Sequence, residues 1–355
     1  MHFLHTADWQ IGMKAAATGG AASAVRQARL AAAARVVALE AGFLLVAGDT
    51  FEDNAVDRAL VQQTGEILAR FRGPVFIVPG NHDPLLPGSV WEHPVWGQYS
   101  NLTVIREAAA YAVPGGTLLA APLRETHSRR DPTACLADIE RPAGAVVAMS
   151  HGTVEGIDAA TEHHPIARDA CRRAGADYLA LGHWHSTAIY PDAAGVGRMA
   201  YCGTHETTKF GERDSGNVLR VRIDGTPRIE GIRTGTLRWY SLEESVQAPG
   251  DVAALRDRVG ALPEGALVKL AIRGLLHPEE AGLLRQLDEM RGRFLYLSVD
   301  TESLRPAAAE GWEDALPVGA VRLAARRLRE RASSGDAVAA EALLELQALA
   351  AQVGQ

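Results

Sequence analysis

Asp8, Asp49, Asn81, His151, His183 and His185 each stand just after a short apolar run, and all offer an oxygen or imidazole donor. Such a set, converging at one edge of a sheet, suits a metal. Carboxylate, amide oxygen and imidazole together favour manganese, iron or zinc over magnesium, which prefers an all-oxygen shell with several waters. One carboxylate bridging two ions about 3.5 to 4 Å apart would clamp a phosphorus centre for in-line attack and lower the pKa of bound water. The chemistry that follows is hydrolysis of a phosphoester. Taken singly, each piece is ordinary. A strand-end Asp often caps a turn or helix, and Gly48-Asp49 or Gly80-Asn81-His82-Asp83 fits a turn in which Gly and Asn take positive φ. His183-Trp184-His185 is sharper, because alternate residues on an extended segment point the same way. The succession of all these pieces after five separate apolar runs is what singles out a site.

The runs that must position them are Phe3-Leu4, 43–47, 75–78, 145–149 and 178–181. Between them, Val25, Leu30, Val36 and Val37, then Leu60, Ile67 and Leu68, recur at helical spacing and predict covering helices over 21–41 and 56–71. The alternation argues for an α/β or sandwich-type layered core. After Arg233 the pattern reads strand, helix, strand, helix, strand over 237–242, 252–262, 266–272, 278–290 and 294–299, a second small α/β unit. A linker is expected from Gly311 to Pro317. Two amphipathic helices follow over 318–331 and 336–351, divided by Ser333-Ser334-Gly335.

With 355 residues, 47% of them apolar and 22% charged, the chain is large enough for about two domains, which excludes disorder and small disulfide frameworks. A net charge of −7 excludes bulk electrostatic attraction to nucleic acid, so any DNA contact must come from local patches. Three cysteines without CxxC spacing suggest neither disulfides nor a structural zinc, and fit a reducing cytoplasm. There is no signal-peptide pattern and no apolar stretch of membrane-spanning length, so a soluble, unexported protein with no membrane partner is expected.

Asp8 to Gln10, Gly48-Asp49, Gly80 to Asp83, His151 and Gly182 to His185 together resemble the D-x-H, GD, GNHD, H and GH-x-H pattern of the calcineurin-like metallophosphoesterases. The opening MHFLHTADWQIG and the GDTFEDN segment are similar to SbcD-type DNA repair exonucleases within that family. The resemblance implies an α/β fold, a two-sheet sandwich flanked by helices over 1–235, with a small α/β capping domain over 236–310 and a C-terminal helix pair over 317–353. It implies two divalent metal ions, Mn2+ first among Mn, Fe, Zn and Mg. Asp8, Gln10, Asp49 and His185 would hold the first, and Asp49, Asn81, His151 and His183 the second. His82 would sit over the phosphate, stabilising the transition state or protonating the leaving oxygen. The implied function is hydrolysis at DNA ends or hairpins as the nuclease subunit of an SbcC-like, SMC-type ATPase complex, with the nuclease paired as a homodimer. A phosphodiesterase for nucleotides or small phosphoesters, and a DNA-end-binding subunit with weakened activity, are the other readings.

Two positions depart from the family pattern. Gln10 stands where the family has His, and its amide oxygen is a harder, poorer donor than imidazole, so the first site is expected to be weaker or more manganese-selective. Glu52 stands where an SbcD-like chain commonly has a second active-site His. Its carboxylate either accepts from the His82 ring and fixes its tautomer, or is a solvated loop charge.

The remaining candidates are secondary. His5 reads as a packed histidine rather than a ligand, and His163-His164 as loop. Trp9 and Trp184 wall the site, stack a base or, the reading we favour, pack in the core. Gly203 to Glu206 resembles the stretch that shapes the rim in SbcD-like chains. Arg124, Arg129, Arg130, Lys209 and Arg213 are candidate phosphate contacts. The denser run Arg322, Arg326, Arg327, Arg329 and Arg331 lies on the first terminal helix. The second carries Leu343, Leu344, Leu346 and Leu349, and such apolar faces need a partner or must fold onto the body.

Overall fold

The computed structural model describes residues 1–140, 143–157, 163–307 and 312–353. Gly311, where the linker was expected to begin, and 308–310, at the end of the expected capping domain, lie outside the described residues. The chain divides into two compact units, Met1–Leu237 and Arg238–Gln355.

The first unit begins with β1 (His2–Thr6), α1 (Ala22–Val37), β2 (Phe43–Ala47), α2 (Arg58–Ala69), β3 (Val75–Val78), α3 (Val95–Gln98) and β4 (Leu102–Val104). It continues through β5 (Ala109–Val113), β6 (Gly116–Ala120), β7 (Val146–His151), β8 (Thr153–Val154), β9 (Pro165–Ile166), α4 (Ala170–Arg173) and β10 (Tyr178–Gly182). It closes with β11 (Ala188–Pro191), β12 (Gly197–Tyr201), β13 (Asn217–Asp224) and β14 (Thr226–Arg233). Two six-stranded sheets result, in the orders β14-β13-β1-β2-β3-β4 and β11-β12-β10-β7-β6-β5. They form the helix-flanked sandwich.

The pleat decides which side chain joins which layer, because successive residues of a strand face opposite sides. Leu4, Leu44, Val46, Val75 and Ile77 meet Ala33, Val36 and Val37 of α1 and Val61, Ile67 and Leu68 of α2. Their neighbours Phe3, Phe43, Leu45, Phe76 and Val78 turn the other way, against Leu118, Val147, Met149, Tyr178 and Ala180 of the second sheet. Leu119, Ala148, Leu179 and Leu181 then pack outward on Leu136, Ala170 and Cys171. Strands buried on both faces must be apolar throughout, which is why the five runs carry no alternation.

β1, β2 and β3 are parallel neighbours, and so are β7 and β10. The residues that follow these strands therefore emerge at the same end of each sheet, where α/β folds place their ligands.

The second unit contains β15 (Trp239–Val246), α5 (Asp251–Gly260), β16 (Leu267–Leu276), α6 (Ala281–Glu289) and β17 (Tyr296–Pro306). The strands form a parallel sheet in the order β15-β16-β17, with Val268, Leu270 and Ile272 packed on Val252, Leu255 and Leu287. The strands run longer than the apolar pattern predicts, because their far ends carry polar residues that the ladder still pairs. Three helices follow: α7 (Trp312–Ala315), α8 (Ala320–Ser333) and α9 (Ala337–Val353). Trp312 and Ala325 are buried among Leu316, Leu343, Leu346 and Ala350. The arginine run is largely used inside this hairpin. Arg326 reaches Asp314 at 3.2 Å, Arg329 reaches Glu313 at 2.7 Å, Arg331 reaches Asp336 at 2.5 Å, and Arg322 holds the Asp314 and Leu316 carbonyls. Among the described residues no helix is long and apolar enough to cross a membrane.

Candidate metal centre

Asp8, Gln10, Asp49 and His183 all have positive φ, at 53°, 40°, 50° and 103°. Among the described residues only three other non-glycine positions share that conformation. A left-handed backbone is costly for a side chain with a Cβ, so its concentration where strands end points to function rather than to folding convenience. Each of these residues reverses the backbone just beyond a strand end. Gly48, at φ 91°, makes the same reversal before Asp49, and a Cβ there would lie 2.2 Å from His151 Nδ1.

Backbone bonds tie the exits of β1 and β2 together: Asp8 N–H donates to Gly48 O at 3.1 Å and Gln10 N–H to Asp49 O at 2.9 Å. Both Asp8 carboxylate oxygens accept from the His183 N–H, at 3.0 and 3.1 Å, across the sandwich. Asp49 Oδ1 accepts from the His82 N–H at 2.9 Å. Asp83 is buried and structural, accepting from the Gly80 and Phe51 N–H groups at 2.7 and 2.9 Å.

His151, His183, Asn81 and Asp49 meet at one point. His151 Nδ1 donates to the Ala47 carbonyl at 2.8 Å, which commits its other nitrogen, Nε2, to be a lone pair in the neutral ring. That nitrogen lies 2.8 Å from Asn81 Oδ1 and 3.3 Å from Asp49 Oδ2, and His183 Nδ1 lies 2.8 Å from the same amide oxygen. Asp49, His151 and His183 each offer a donor atom within 4.8 Å of the other two, the one such group of acidic, imidazole or thiol side chains among the described residues. With neutral His151, acceptors face acceptors, an arrangement a cation resolves. A proton is the weaker substitute. Burial alone would lower the His151 imidazole, but the Asp49 charge and hydrogen bond, with Asp8 behind them, hold it up at about 9. Burial and the His151 charge push His183 down to about 3. Burial opposes ionisation of Asp49, yet His151 and His82 keep its carboxyl well below the ordinary range. Asp8 is raised to about 6, burial outweighing the His151 and His185 charges. The donor set fits a divalent cation.

Asp8 and His185 stand outside that group at the same strand ends, and Gln10 is buried beside them. His185 brings a partner that sequence reading missed. Its Nδ1 is 2.7 Å from Glu212 Oε1, and Thr208 N–H donates to the other carboxylate oxygen at 2.8 Å. Burial would lower His185, but Glu212 and Asp8 raise it above the ordinary imidazole value. A carboxylate behind an imidazole fixes its tautomer and leaves Nε2 as the free donor. Arg29 was missed as well. It is buried on α1 and donates to the main-chain carbonyls of Asp8, Trp9 and Glu206, pinning the loop after β1.

The Glu52 carboxylate does not take the His82 ring. His82 Nδ1 lies 2.8 Å from the Glu52 main-chain carbonyl instead, a partner of fixed position that any residue at 52 supplies. Glu52→Gln is therefore expected to leave kcat and its pH profile within about twofold of wild type, where loss of a true orienting partner costs about 10- to 100-fold. Steady-state rates across pH decide it, and a drop beyond tenfold would restore the carboxylate to the site.

His5 is packed as expected. Its Nδ1 lies 2.9 Å from the Tyr178 hydroxyl and its Nε2 3.1 Å from Leu181 O, and burial pushes it down to about 3. Trp9 is core, stacked on His205 at 4.9 Å. Trp184 is 36% exposed, so core packing is wrong for it. It stands between two residues turned inward and faces outward itself. Arg124 donates to the Arg106 carbonyl at 2.6 Å, while Arg129, Arg130, Lys209 and Arg213 are exposed.

Residues 1–187, more than half of the chain, match the calcineurin-like phosphoesterase family model. The chain belongs to the calcineurin-like phosphoesterases. Membership makes it a metal-dependent hydrolase of phosphoester bonds, in agreement with the donor group at Asp49, His151 and His183. No curated protein matches the chain. Two solved structures are similar to this phosphoesterase. One is 13% identical with a TM-score of 0.42, covering 65% of this chain and 98% of its own. The other, the protein TT1561 of Thermus thermophilus, is 11% identical with a TM-score of 0.41, covering 66% of this chain and 98% of its own.

Proposed function

We propose that the chain is a DNA nuclease of the SbcD type, hydrolysing phosphodiester bonds at DNA ends with two divalent ions, manganese first. Asp49, Asn81, His151 and His183 would hold one ion, and Asp8, Gln10, Asp49 and His185 the other, with Asp49 shared. When bound, the ions supply Lewis-acid activation of water and charge neutralisation at phosphorus. His82 would serve proton transfer. Its backbone is held by Asp49 and its Nδ1 by the Glu52 carbonyl, leaving Nε2 as the exchangeable position.

The observation that carries the reading is the second unit, Arg238–Gln355, which a hydrolase of small phosphoesters does not need. Its terminal hairpin exposes Val318 at 88% and Val338 at 75%, apolar surface suited to the coiled coil of an SbcC-like ATPase in the cytoplasm. Pairing of the nuclease core as a homodimer belongs to the same proposal. Purified protein with Mn should shorten end-labelled linear duplex DNA, and His82→Ala should not. Cleavage of a chromogenic diester alone would replace this reading with a small-molecule phosphodiesterase, and DNA binding without cleavage would replace it with an end-binding subunit.

Gln10 bears on the ion held with His185. Gln10→His is expected to tighten that site by about tenfold or more, because imidazole is the better ligand for a borderline metal. Calorimetric titration of metal-free protein with Mn tests this; two wild-type sites of equal affinity, unchanged by the substitution, would sink it.

A further inference from the structure

A second charged cluster lies at the opposite end of β1 from Asp8. In register, His2 of β1 faces Arg222 of β13, and Arg222 faces Arg228 of β14, so three basic side chains form one transverse row over adjacent strands. Arg220, two residues along β13 and so on the same face, pairs with Glu230 at 3.3 Å. Like charges directly opposite each other across a sheet are destabilising. Yet Arg222 and Arg228 stand so, each without an ion-pair partner among the described residues, and Asp224 sits on the last rung before the turn, opposite Thr226. Nε2 of His2 and Nε of Arg220 are buried with no hydrogen-bond partner. A cavity of about 230 Å³ opens beside the row, lined by Arg220, Arg222 and Arg228 with Asp224, Glu230, Thr226 and Ile229, and His2 lies behind Arg222 rather than on its wall.

Charged residues often guard the edge of a sheet against pairing with another chain. That accounts for Arg228 on the edge strand β14, but not for Arg222 and His2 on the interior strands β13 and β1. Nor is the row the overflow of a basic protein, since the chain carries a net charge of −7.

We propose that this row is a binding site for a phosphate group. A tetrahedral phosphate offers enough oxygens to engage two guanidinium forks together, whereas one fork uses both oxygens of a carboxylate. The same chemistry is offered by inorganic phosphate and by the phosphodiester of a nucleic acid strand. Bound phosphate would remove the repulsion between Arg222 and Arg228 and set a negative charge beside the buried His2 ring. Burial, then Arg222 and Arg220, hold the His2 imidazole below its ordinary value, so a phosphate arriving there has a specific signature.

The test follows the His2 ring by NMR in the full chain with the divalent metals chelated, beside the double variant Arg222→Gln/Arg228→Gln. Inorganic phosphate should raise the His2 pKa saturably, by about one unit, as an opposite charge within reach does. In the double variant the phosphate affinity should fall about tenfold or more, while the melting temperature in phosphate-free buffer stays equal or rises because like charges are gone. A short duplex DNA then separates the two sources. If it also moves His2, and the double variant weakens DNA binding and lowers the salt slope by about two, the phosphodiester is the ligand. If inorganic phosphate alone acts, the ligand is the free anion. A His2 ring that neither probe moves, or that responds equally in the double variant, overturns the proposal.

Discussion

Asp49→Asn is expected to lower phosphoester hydrolysis by on the order of 10³-fold or more, the largest effect of any single polar substitution in this chain. Asp49 carries a negative charge beside two imidazoles, and its Oδ1 also accepts the His82 N–H. An amide keeps the shape but not the charge, so the affinity for a divalent ion and the placement of His82 weaken together. Rates measured at saturating Mn, beside a calorimetric count of bound ions, check both. A variant that keeps two ions and more than about a tenth of the wild-type rate would remove Asp49 from the centre.

The same substitution has a signature in the metal-free protein. His151 sits at about 9 in the fold against 6.5 for a free imidazole. A raised imidazole contributes stability that is fully present below about 6.5 and is lost as pH climbs toward 9. Asp49 works in the other direction, since a depressed carboxylate contributes above its ordinary 3.8 and is lost in acid. Chelated wild-type protein should therefore melt progressively lower between pH 6.5 and 9, while Asp49→Asn, which no longer holds the proton on His151, should be nearly flat over that range. A divalent ion needs His151 deprotonated, so its binding should release a proton below pH 9 and erase the alkaline slope.

The parts of this site that the sequence displays are those carried by contiguous residues at strand ends. Gly80-Asn81-His82-Asp83 and His183-Trp184-His185 hold their chemistry within four positions, and the apolar runs before them show where the sheet delivers it. The supporting residues are another matter. Glu212 reaches His185 from a loop with no periodicity of its own, and nothing in its spacing marks it. Arg29 did leave a trace: it falls four residues after Val25 on the buried face of α1, where a charge needs buried acceptors. The Glu52 contact was invisible in principle, because a main-chain carbonyl has no side-chain identity to read. Likewise β13 and β14 pair antiparallel beside β1, from far along the chain, a placement that apolar patterning does not specify.

Gly182 shows how closely the fold and the site are bound together, and Gly182→Ala is expected to be the most damaging small substitution in the first unit. Gly182 ends β10 in register with His151, where the two sheets of the sandwich approach each other. A Cβ there would lie 1.9 Å from the Ala47 carbonyl oxygen, 2.8 Å from His151 Nδ1 and 2.9 Å from the Ala7 Cβ. The Ala47 oxygen is the acceptor that fixes the His151 tautomer, so neither atom can retreat without disturbing the donor group. The strand ends are buried on both faces and have no room to shift. Overpacking of this kind costs about 3 kcal/mol or more when the obstacle is backbone. For a unit of this size that lowers the melting temperature by roughly 6 to 12 °C. Gly97→Ala is the matching control, since a Cβ there meets nothing within 4 Å and should change stability by less than about 0.5 kcal/mol. If Gly182→Ala melts with the control and still binds metal, the sheets are free to separate at that point. The donors would then owe their positions to the ions rather than to the fold.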